Sequence, residues 1–208
     1  MKQKLVTRPY AQTARAESAE ATGHRIVNAF LARLMSQWFD EITLDRIAED
    51  AGVTVQTVIR RFGGKEGLLL GAIDTFTHRV NDSRVTAPGD IAGLVKNLLA
   101  DYEQTGDAVI RLLALEDRHE ALKQPLDLGR RWHRTWLADI LASELKPLSA
   151  THRKRALDAL VIATDVYTWK LLRRDMGRSL SETESTMKRM IHAAIAEFVT
   201  PHTTGDPR

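Results

Sequence analysis

Residues 54–65 hold side chains whose chemistry suits contact with a nucleic acid. The segment contains three basic residues and no acidic residue. Arginine and lysine bind phosphate oxygens, while glutamine and threonine hydrogen-bond to the base edges that a groove exposes. The residues of these types in the segment are Thr54, Gln56, Thr57, Arg60, Arg61 and Lys65. They can act together only if the local structure turns them toward the same side.

Two short helices, predicted at 44–51 and 55–62, would position these side chains. Thr43 can cap the first helix, and Gly52 supplies the positive φ that a tight turn usually needs. Small or apolar residues occupy the positions where the helices must pack across the turn, namely Ile47, Ala48, Ala51, Val53 and Val58. The spacing predicts a helix-turn-helix whose second helix fits the major groove, with an ordinary helical hairpin as the alternative.

The flanking segments favour the groove-binding interpretation over the hairpin. The next predicted helix, 65–80, begins after Gly64 with Lys65, which offers backbone N–H groups and a cation to a phosphate. Residues 1–16 are basic and lack apolar periodicity, so we expect them to form a disordered arm. Thr43, at the start of the first short helix, completes the set of predicted DNA contacts.

Residues 24–70 resemble the DNA-binding domain of the TetR family of bacterial repressors. The matching pieces, in order and spacing, are residues 26–30, 42–53, 57–62 and 65–69. The resemblance implies that Thr54 caps the recognition helix and touches a phosphate, and that Lys65 clamps another phosphate. It also implies contacts to base edges by Gln56 and Thr57.

One position departs from the family pattern. Ile59 stands where the family usually has a tyrosine that contacts phosphate. Because isoleucine has no hydrogen-bond donor in its side chain, we expect Arg60 or Arg61 to supply this contact. Binding to the DNA backbone should therefore depend more on these arginines and on Lys65 than the family pattern implies.

Composition narrows the class of protein. The formal net charge of +3 permits nucleic-acid binding without requiring it. The chain has no cysteine, which excludes disulfides, cysteine-ligated zinc and thiol catalysis, and we expect no cofactor. No apolar stretch reaches the roughly 18 residues of a membrane span. The basic residues 1–4 lead into no apolar region, so we expect a cytoplasmic protein without a membrane partner.

The predicted fold is all-α, with about nine helices, because apolar residues recur at helical spacing and no alternating strand pattern occurs. We expect a three-helix helix-turn-helix domain at 17–82, a helical bundle at 90–200 and a disordered tail at 201–208. Besides the two short helices, the expected helices cover residues 18–37, 65–80, 91–104, 107–119, 125–146, 151–176 and 182–200. Ser181 and Glu184 have the spacing of a capping box for the last of them.

The C-terminal bundle is expected to serve dimerisation and effector binding. A single helix-turn-helix buries little surface, so the chain should bind a palindromic site as a homodimer through its last two helices. Packing of those helices within one chain is the alternative. A small-molecule effector would bind in a pocket of the bundle and shift the population toward a conformation that fits DNA poorly. Candidate pocket residues, which also suit a protein core, are Tyr102, His119, Trp132, His133, Trp136, Asp165 and Trp169.

Two other functions stay open at this point. Glu116 and His119 have the Glu-x-x-His spacing of di-iron enzymes built on helical bundles, but no second such pair accompanies them. A DNA-binding architectural protein without an effector is the other alternative. A ligand cavity would favour the effector-responsive regulator over that protein.

Overall fold

The computed structural model of the protein describes residues 8–199, with side chains from residue 17 to 198. Within this range every regular element is helical and there is no strand, which confirms the all-α prediction. The predicted basic arm lies partly outside the described residues, at 1–7, and the predicted tail at 201–208 lies entirely outside them. Residues 8–16 belong to the first helix rather than to a disordered arm.

The chain forms two compact units that divide between Thr75 and Phe76. The division lies inside a helix, whereas the sequence analysis placed the boundary between the two domains at residues 82–90. The first unit contains α1 (Arg8–Leu34), a 3-10 turn (Phe39–Glu41), α2 (Leu44–Ala51), α3 (Val55–Phe62) and the start of α4 (Lys65–Ser83). Its core is built from side chains that are at most 2 % exposed, among them Ile26, Phe30, Phe39, Ile47 and Val58.

The second unit is a bundle of longer helices. They are α5 (Ile91–Leu115), α6 (Glu120–Ile140), α7 (Ala142–Leu145), α8 (Ala150–Thr164), α9 (Val166–Lys170) and α10 (Leu180–Val199). A π-helical turn, Leu171–Asp175, continues α9. α8 packs against α10, and α5 packs against α6, α9 and α10. The core between them is apolar and includes Leu98, Leu137, Leu160, Trp169 and Ile191.

The predicted break at residues 105–107 does not occur, and α5 continues to Leu115. Thr105 and Gly106 are buried, and the Thr105 hydroxyl donates to the Asp101 carbonyl oxygen one turn earlier, at 3.0 Å. A threonine that satisfies its hydroxyl in this way fits a helix interior. α6 begins at Glu120 rather than at residue 125 as expected, and Pro125 lies inside the helix.

The helix predicted at 151–176 is broken at Asp165, whose backbone is extended (φ −69°, ψ 152°). The Asp165 carboxylate accepts a hydrogen bond from Tyr167 N at 2.8 Å and so caps α9. The sequence contains two overlapping Ser-x-x-Glu matches before the last helix, and the structure uses the earlier one. Ser179 and Glu182 form the reciprocal pair of bonds, at 3.2 and 2.8 Å, and α10 begins at Leu180.

Candidate nucleic-acid interface

α2, a tight turn and α3 form the predicted helix-turn-helix. Thr43 caps α2 by accepting from Arg46 N at 3.4 Å, and Gly52 ends the helix with φ +63°. Val53 N then donates to Ala48 O at 2.9 Å, which closes the turn. Thr54 caps α3 by accepting from Thr57 N at 3.2 Å. Both caps and the turn agree with the prediction.

Burial decides which side of α3 is open to a partner. Val58 is fully buried, and Ile47 and Ala51 of α2 are buried with it, so this apolar side packs into the unit. Gln56 and Arg60, four residues apart on one helix face, are exposed. α3 therefore presents an amide and a guanidinium to solvent, with no acidic side chain along its length.

The two threonines at the start of α3 are linked to each other. Their hydroxyl oxygens are 2.9 Å apart, and Thr57 is half-buried while Thr54 is exposed. The Thr57 hydroxyl therefore already has a partner, whereas the Gln56 amide has none among the described side chains. Of the two predicted base-reading residues, Gln56 is thus the more freely displayed.

Lys65 begins α4, and its ammonium lies against the 3-10 turn. Its Nζ atom donates to Phe39 O at 2.7 Å and to Asp40 O at 3.4 Å, and it lies 4.5 Å from the centre of the Phe39 ring. An ammonium has three N–H groups, so one remains for another acceptor. Lys65 thus holds the turn in place as well as offering a cation. Sequence reasoning missed this structural role because it depends on a contact between residues far apart in the chain.

Ile59 and the two arginines of α3 lie at its exposed end. Ile59 is 39 % exposed and presents an apolar surface where the resemblance led us to expect a phosphate-binding ring. Arg60 and Arg61 are both exposed, and the Arg61 guanidinium lies 5.8 Å from the centre of the Phe62 ring. Both arginines are thus open to a partner, and their contact with phosphate stays a prediction.

The first unit is therefore a helix-turn-helix domain, joined in one chain to a larger helical bundle. Residues 33–72 match the family model described as bacterial regulatory proteins, tetR family. The helix-turn-helix of this chain is therefore similar to the DNA-binding domain of TetR-family bacterial regulators. No match is found among curated proteins. The match to a family of regulatory proteins argues against the metal-enzyme alternative suggested by Glu116 and His119.

Solved structures share the fold over most of the chain. A transcriptional regulator from Rhodococcus sp. Rha1 has a TM-score of 0.66 and 15 % identity, covering 86 % of this chain and 99 % of its own. A proposed transcriptional regulator from Pseudomonas aeruginosa PAO1 has a TM-score of 0.63 and 17 % identity, with 84 % and 90 % covered. A proposed TetR-family regulator from Mesorhizobium loti MAFF303099 has a TM-score of 0.56 and 19 % identity, with 86 % and 98 % covered.

The second unit contains a solvent-open cavity of about 300 Å³. Two of the predicted pocket residues, Trp132 and Trp136, line it, and their rings stack with centres 5.9 Å apart. The wall is completed by residues that the sequence analysis did not single out, namely Asn81, Arg84, Val85, Thr86, Thr135, Asp139 and Ile140. The other predicted pocket residues do not line this cavity.

Those other residues have structural contacts of their own. Trp169 is fully buried and donates through Nε1 to Glu103 at 2.9 Å, and Asp165 caps α9. Tyr102 is buried and donates to Thr164 O at 3.1 Å, and burial raises its pKa to about 12. His119 is half-buried at the N-cap position of α6.

A buried ionic network lies beside the cavity. Arg84 and Asp101 are each 6 % exposed, and the guanidinium donates to Asp101 Oδ2 from Nε at 2.9 Å and also from Nη2. The Arg84 Cζ atom lies 5.0–5.5 Å from the ring centres of Tyr102, Trp132 and Trp136. The signal that could have revealed this pair is the carboxylate of Asp101 on the apolar face of α5, where a charge requires a partner.

His133 extends this network to α8. Arg84 Nη1 lies 3.3 Å from His133 Nδ1, and because a guanidinium can only donate, Nδ1 must accept. The proton of the neutral ring is then on Nε2, which donates to Thr164 Oγ1 at 2.9 Å. Burial, followed by the charge of Arg84, lowers the pKa of His133 to about 3. The ring is therefore neutral near pH 7.

Glu116, the acid of the Glu-x-x-His run, is bound by a cation. The two terminal nitrogens of the Arg130 guanidinium, Nη1 and Nη2, donate to its carboxylate, and this contact lowers the pKa of Glu116. Among the residues that the structure describes, no group of three His, Cys, Asp or Glu side chains could hold a metal ion. None of the helices between residues 8 and 199 has the length and apolar character needed to cross a bilayer.

Proposed function

We propose that the protein is a ligand-responsive repressor that binds a palindromic DNA operator as a homodimer. The observation that carries this proposal is the outward face of α3, where exposed Gln56 and Arg60 stand on a helix without acidic residues. A recognition helix of this kind enters the major groove, and residues near its N-terminus reach base edges.

The side chains around α3 divide between two kinds of contact. Gln56 is the principal residue that contacts base edges, since glutamine can pair with adenine through two hydrogen bonds. Thr57 makes a secondary contact to a base edge, because its hydroxyl is also hydrogen-bonded to the Thr54 hydroxyl. Arg60 and Arg61 grip phosphates. Thr43, Thr54 and the remaining N–H group of Lys65 add contacts to the DNA backbone around them.

The second unit supplies a surface suited to dimerisation. Apolar side chains stay exposed along α8, α9, the π-helical turn and the start of α10, namely Ile162 at 64 %, Tyr167 at 56 %, Leu171 at 52 % and Leu180 at 48 %. α8 and α10 pack on each other, so two copies of the pair would form a four-helix interface. Covering these side chains would remove apolar surface from water.

The cavity beside Trp132 and Trp136 is the proposed effector site. Indole faces suit a flat or largely apolar molecule, and about 300 Å³ is at the small end for a ligand pocket. Arg84, which lines the cavity, directly follows the last residue of α4. A ligand that displaced Arg84 would thereby act on the end of α4, and α4 would carry the change toward the DNA-binding unit.

Selection of bound DNA from a random pool tests the operator model. We expect a palindromic site with two half-sites about one helical turn apart. Replacing Arg60 and Arg61 together by alanine should then weaken binding to all sequences alike and flatten the salt dependence, by up to about 0.9 in slope for each lost phosphate contact. The matched control replaces the exposed Arg118 and Arg131 by alanine, which removes the same charge from the second unit. Unchanged affinity and salt slope in the α3 variant would contradict the backbone contacts.

Light scattering tests the dimer. The wild-type mass should be twice the 23.3 kDa of one chain, and Ile162→Glu should shift it toward the monomer because a carboxylate would be buried in the interface. Leu128→Glu, at an exposed position of α6 that is not among the side chains of the proposed interface, is the control. A wild-type monomer in dilute solution would rule out the dimer.

Thermal stabilisation by a library of small molecules tests the effector. A compound that acts at the cavity should raise the Tm of the wild type, lower its affinity for the operator, and lose both effects in Trp136→Ala. If no compound alters operator affinity, the protein is a DNA-binding protein without an effector, and that alternative replaces the proposal.

A further inference from the structure

Gly23 occupies a position in α1 where glycine is unfavourable by itself. It lies well inside the helix, Arg8–Leu34, and is buried, so it neither caps an end nor makes a turn. Glycine in a helix interior destabilises the helix relative to alanine. A specific contact is therefore needed to explain the absence of a side chain here.

That contact is made by Arg61 at the end of α3. A Cβ atom placed on Gly23 would lie 2.3 Å from Arg61 Nη2, 2.5 Å from Nε and 2.6 Å from Cζ. All three distances are shorter than any real Cβ contact, so the guanidinium group rests directly on the backbone of α1. An alanine at residue 23 would displace it.

Arg61 is supported there without being neutralised. Within residues 17–198 no acidic side chain pairs with it, and its side chain remains exposed. Arg33 of the same unit differs, because two of its nitrogens bind the Asp50 carboxylate at 2.6 and 2.9 Å. A cation that lies against α1 on one side and is unpaired on the other has less freedom of movement to lose when it binds an anion.

We propose that Gly23 is a positioning residue of the DNA site, whose missing side chain lets Arg61 lie across α1 and face the DNA backbone. The inference rests on the proposed contact between Arg61 and DNA and adds the part of α1 in it. Because Arg61 lies in the last turn of α3, and base edges are reached from the N-terminal end of such a helix, its target is a phosphate.

Gly23→Ala separates this role from a structural one, because the two predict changes of opposite sign. The variant should be at least as thermally stable as the wild type, since alanine favours the helix and a flexible arginine can move aside. Its dissociation constant for the selected operator should rise roughly 2- to 10-fold, because Arg61 must now be ordered on binding. Gly129→Ala in α6, where a Cβ would meet nothing within 4 Å, is the control and should bind DNA as the wild type does.

A double-mutant cycle with Arg61→Ala completes the test. If Gly23 acts through Arg61, adding Gly23→Ala to Arg61→Ala should weaken binding no further. Arg61→Lys should resemble Gly23→Ala, because an ammonium keeps the charge but is not planar, and it serves as the second variant if Gly23→Ala unfolds. The inference is wrong if Arg61→Ala weakens binding while Gly23→Ala does not, or if the two effects add. If Arg61→Ala itself has no effect, the proposed phosphate contact fails as well.

Discussion

The two units of this protein use arginine in opposite environments. On α3, Arg60 and Arg61 are exposed and have no acidic neighbour on their helix. In the second unit, Arg84 is 6 % exposed and binds the equally buried Asp101. In the first arrangement the positive charges are open to a partner from another molecule. In the second, the charge is neutralised by a carboxylate of the same chain.

The difference shows why residue type alone does not identify a functional charge. A buried ion pair gains little net stability, because removing both ions from water costs about as much as their attraction returns. An exposed arginine keeps its hydration shell, so folding carries no desolvation free energy for it. Its guanidinium can then exchange water for a phosphate oxygen. Substitutions in the two units should therefore change different quantities, namely the free energy of unfolding in the second unit and the affinity for DNA in the first.

Asp101→Leu should cause the largest change in stability. It leaves Arg84 buried without its carboxylate, which should lower the free energy of unfolding by about 3–5 kcal/mol. Urea denaturation at fixed protein concentration measures the change. The exposed pair of Arg46 and Glu49, 3.5 Å apart, provides the control, since Glu49→Ala should cost only about 0.2–0.5 kcal/mol.

Removing both ions tests the explanation. Adding Arg84→Met to Asp101→Leu should restore much of the lost stability, because no unpaired charge is then buried. If the double variant is as unstable as Asp101→Leu alone, shape rather than charge holds this region together, and the contrast between the units loses its basis.

His133 should give the second-unit network a pH dependence. Its pKa is about 3 in the folded protein, below the usual 6.5, so the unfolded chain binds a proton that the folded chain does not. The contribution to stability is complete above pH 6.5 and is lost as the pH falls toward 3. Between pH 7 and pH 5 the loss should amount to about 2 kcal/mol.

His133→Gln isolates that contribution, because glutamine does not titrate but can still accept from Arg84 and donate to Thr164. The variant should lose less stability between pH 7 and pH 5 than the wild type does, as measured by urea denaturation at each pH. Equal losses in both proteins would mean that His133 stays neutral in the unfolded chain over this range or is protonated in the fold.

Features that depend on neighbouring residues could be predicted from the sequence. The caps Thr43 and Thr54 and the turn at Gly52 each follow from a few consecutive residues, and all three are present. The two overlapping Ser-x-x-Glu matches before α10 show the limit of such signals, since both fit locally and the predicted one, starting at Ser181, is not used.

Features that depend on contacts across the chain could not be predicted. Arg84 binds Asp101, which lies 17 residues further along the chain, and Arg61 lies against Gly23 of a different helix. Trp169 and Tyr102 are residue types that often line a ligand pocket, but in this fold they are buried among other apolar side chains and belong to the core. The cavity was anticipated only where two aromatic residues share a helix face, at Trp132 and Trp136.

Gln56→Ala should cause the smallest change in stability and a distinct change in function. Because Gln56 is exposed, its loss should alter the free energy of unfolding by no more than about 0.5 kcal/mol. Selection from random DNA should then show a relaxed preference at one base pair in each half-site, worth about 1–3 kcal/mol of discrimination. Preferences at the other positions and the salt slope should stay as in the wild type, since no phosphate contact is removed.

Gln104→Ala, at an exposed position of α5, is the matched control and should alter neither stability nor sequence preference. If Gln56→Ala instead weakens binding equally at every sequence, Gln56 contacts the backbone, and α3 reads bases through other residues. If Gln56→Ala instead lowers the free energy of unfolding as much as a core substitution does, Gln56 stabilises the fold rather than contacting a partner. The contrast between the two units would then be wrong.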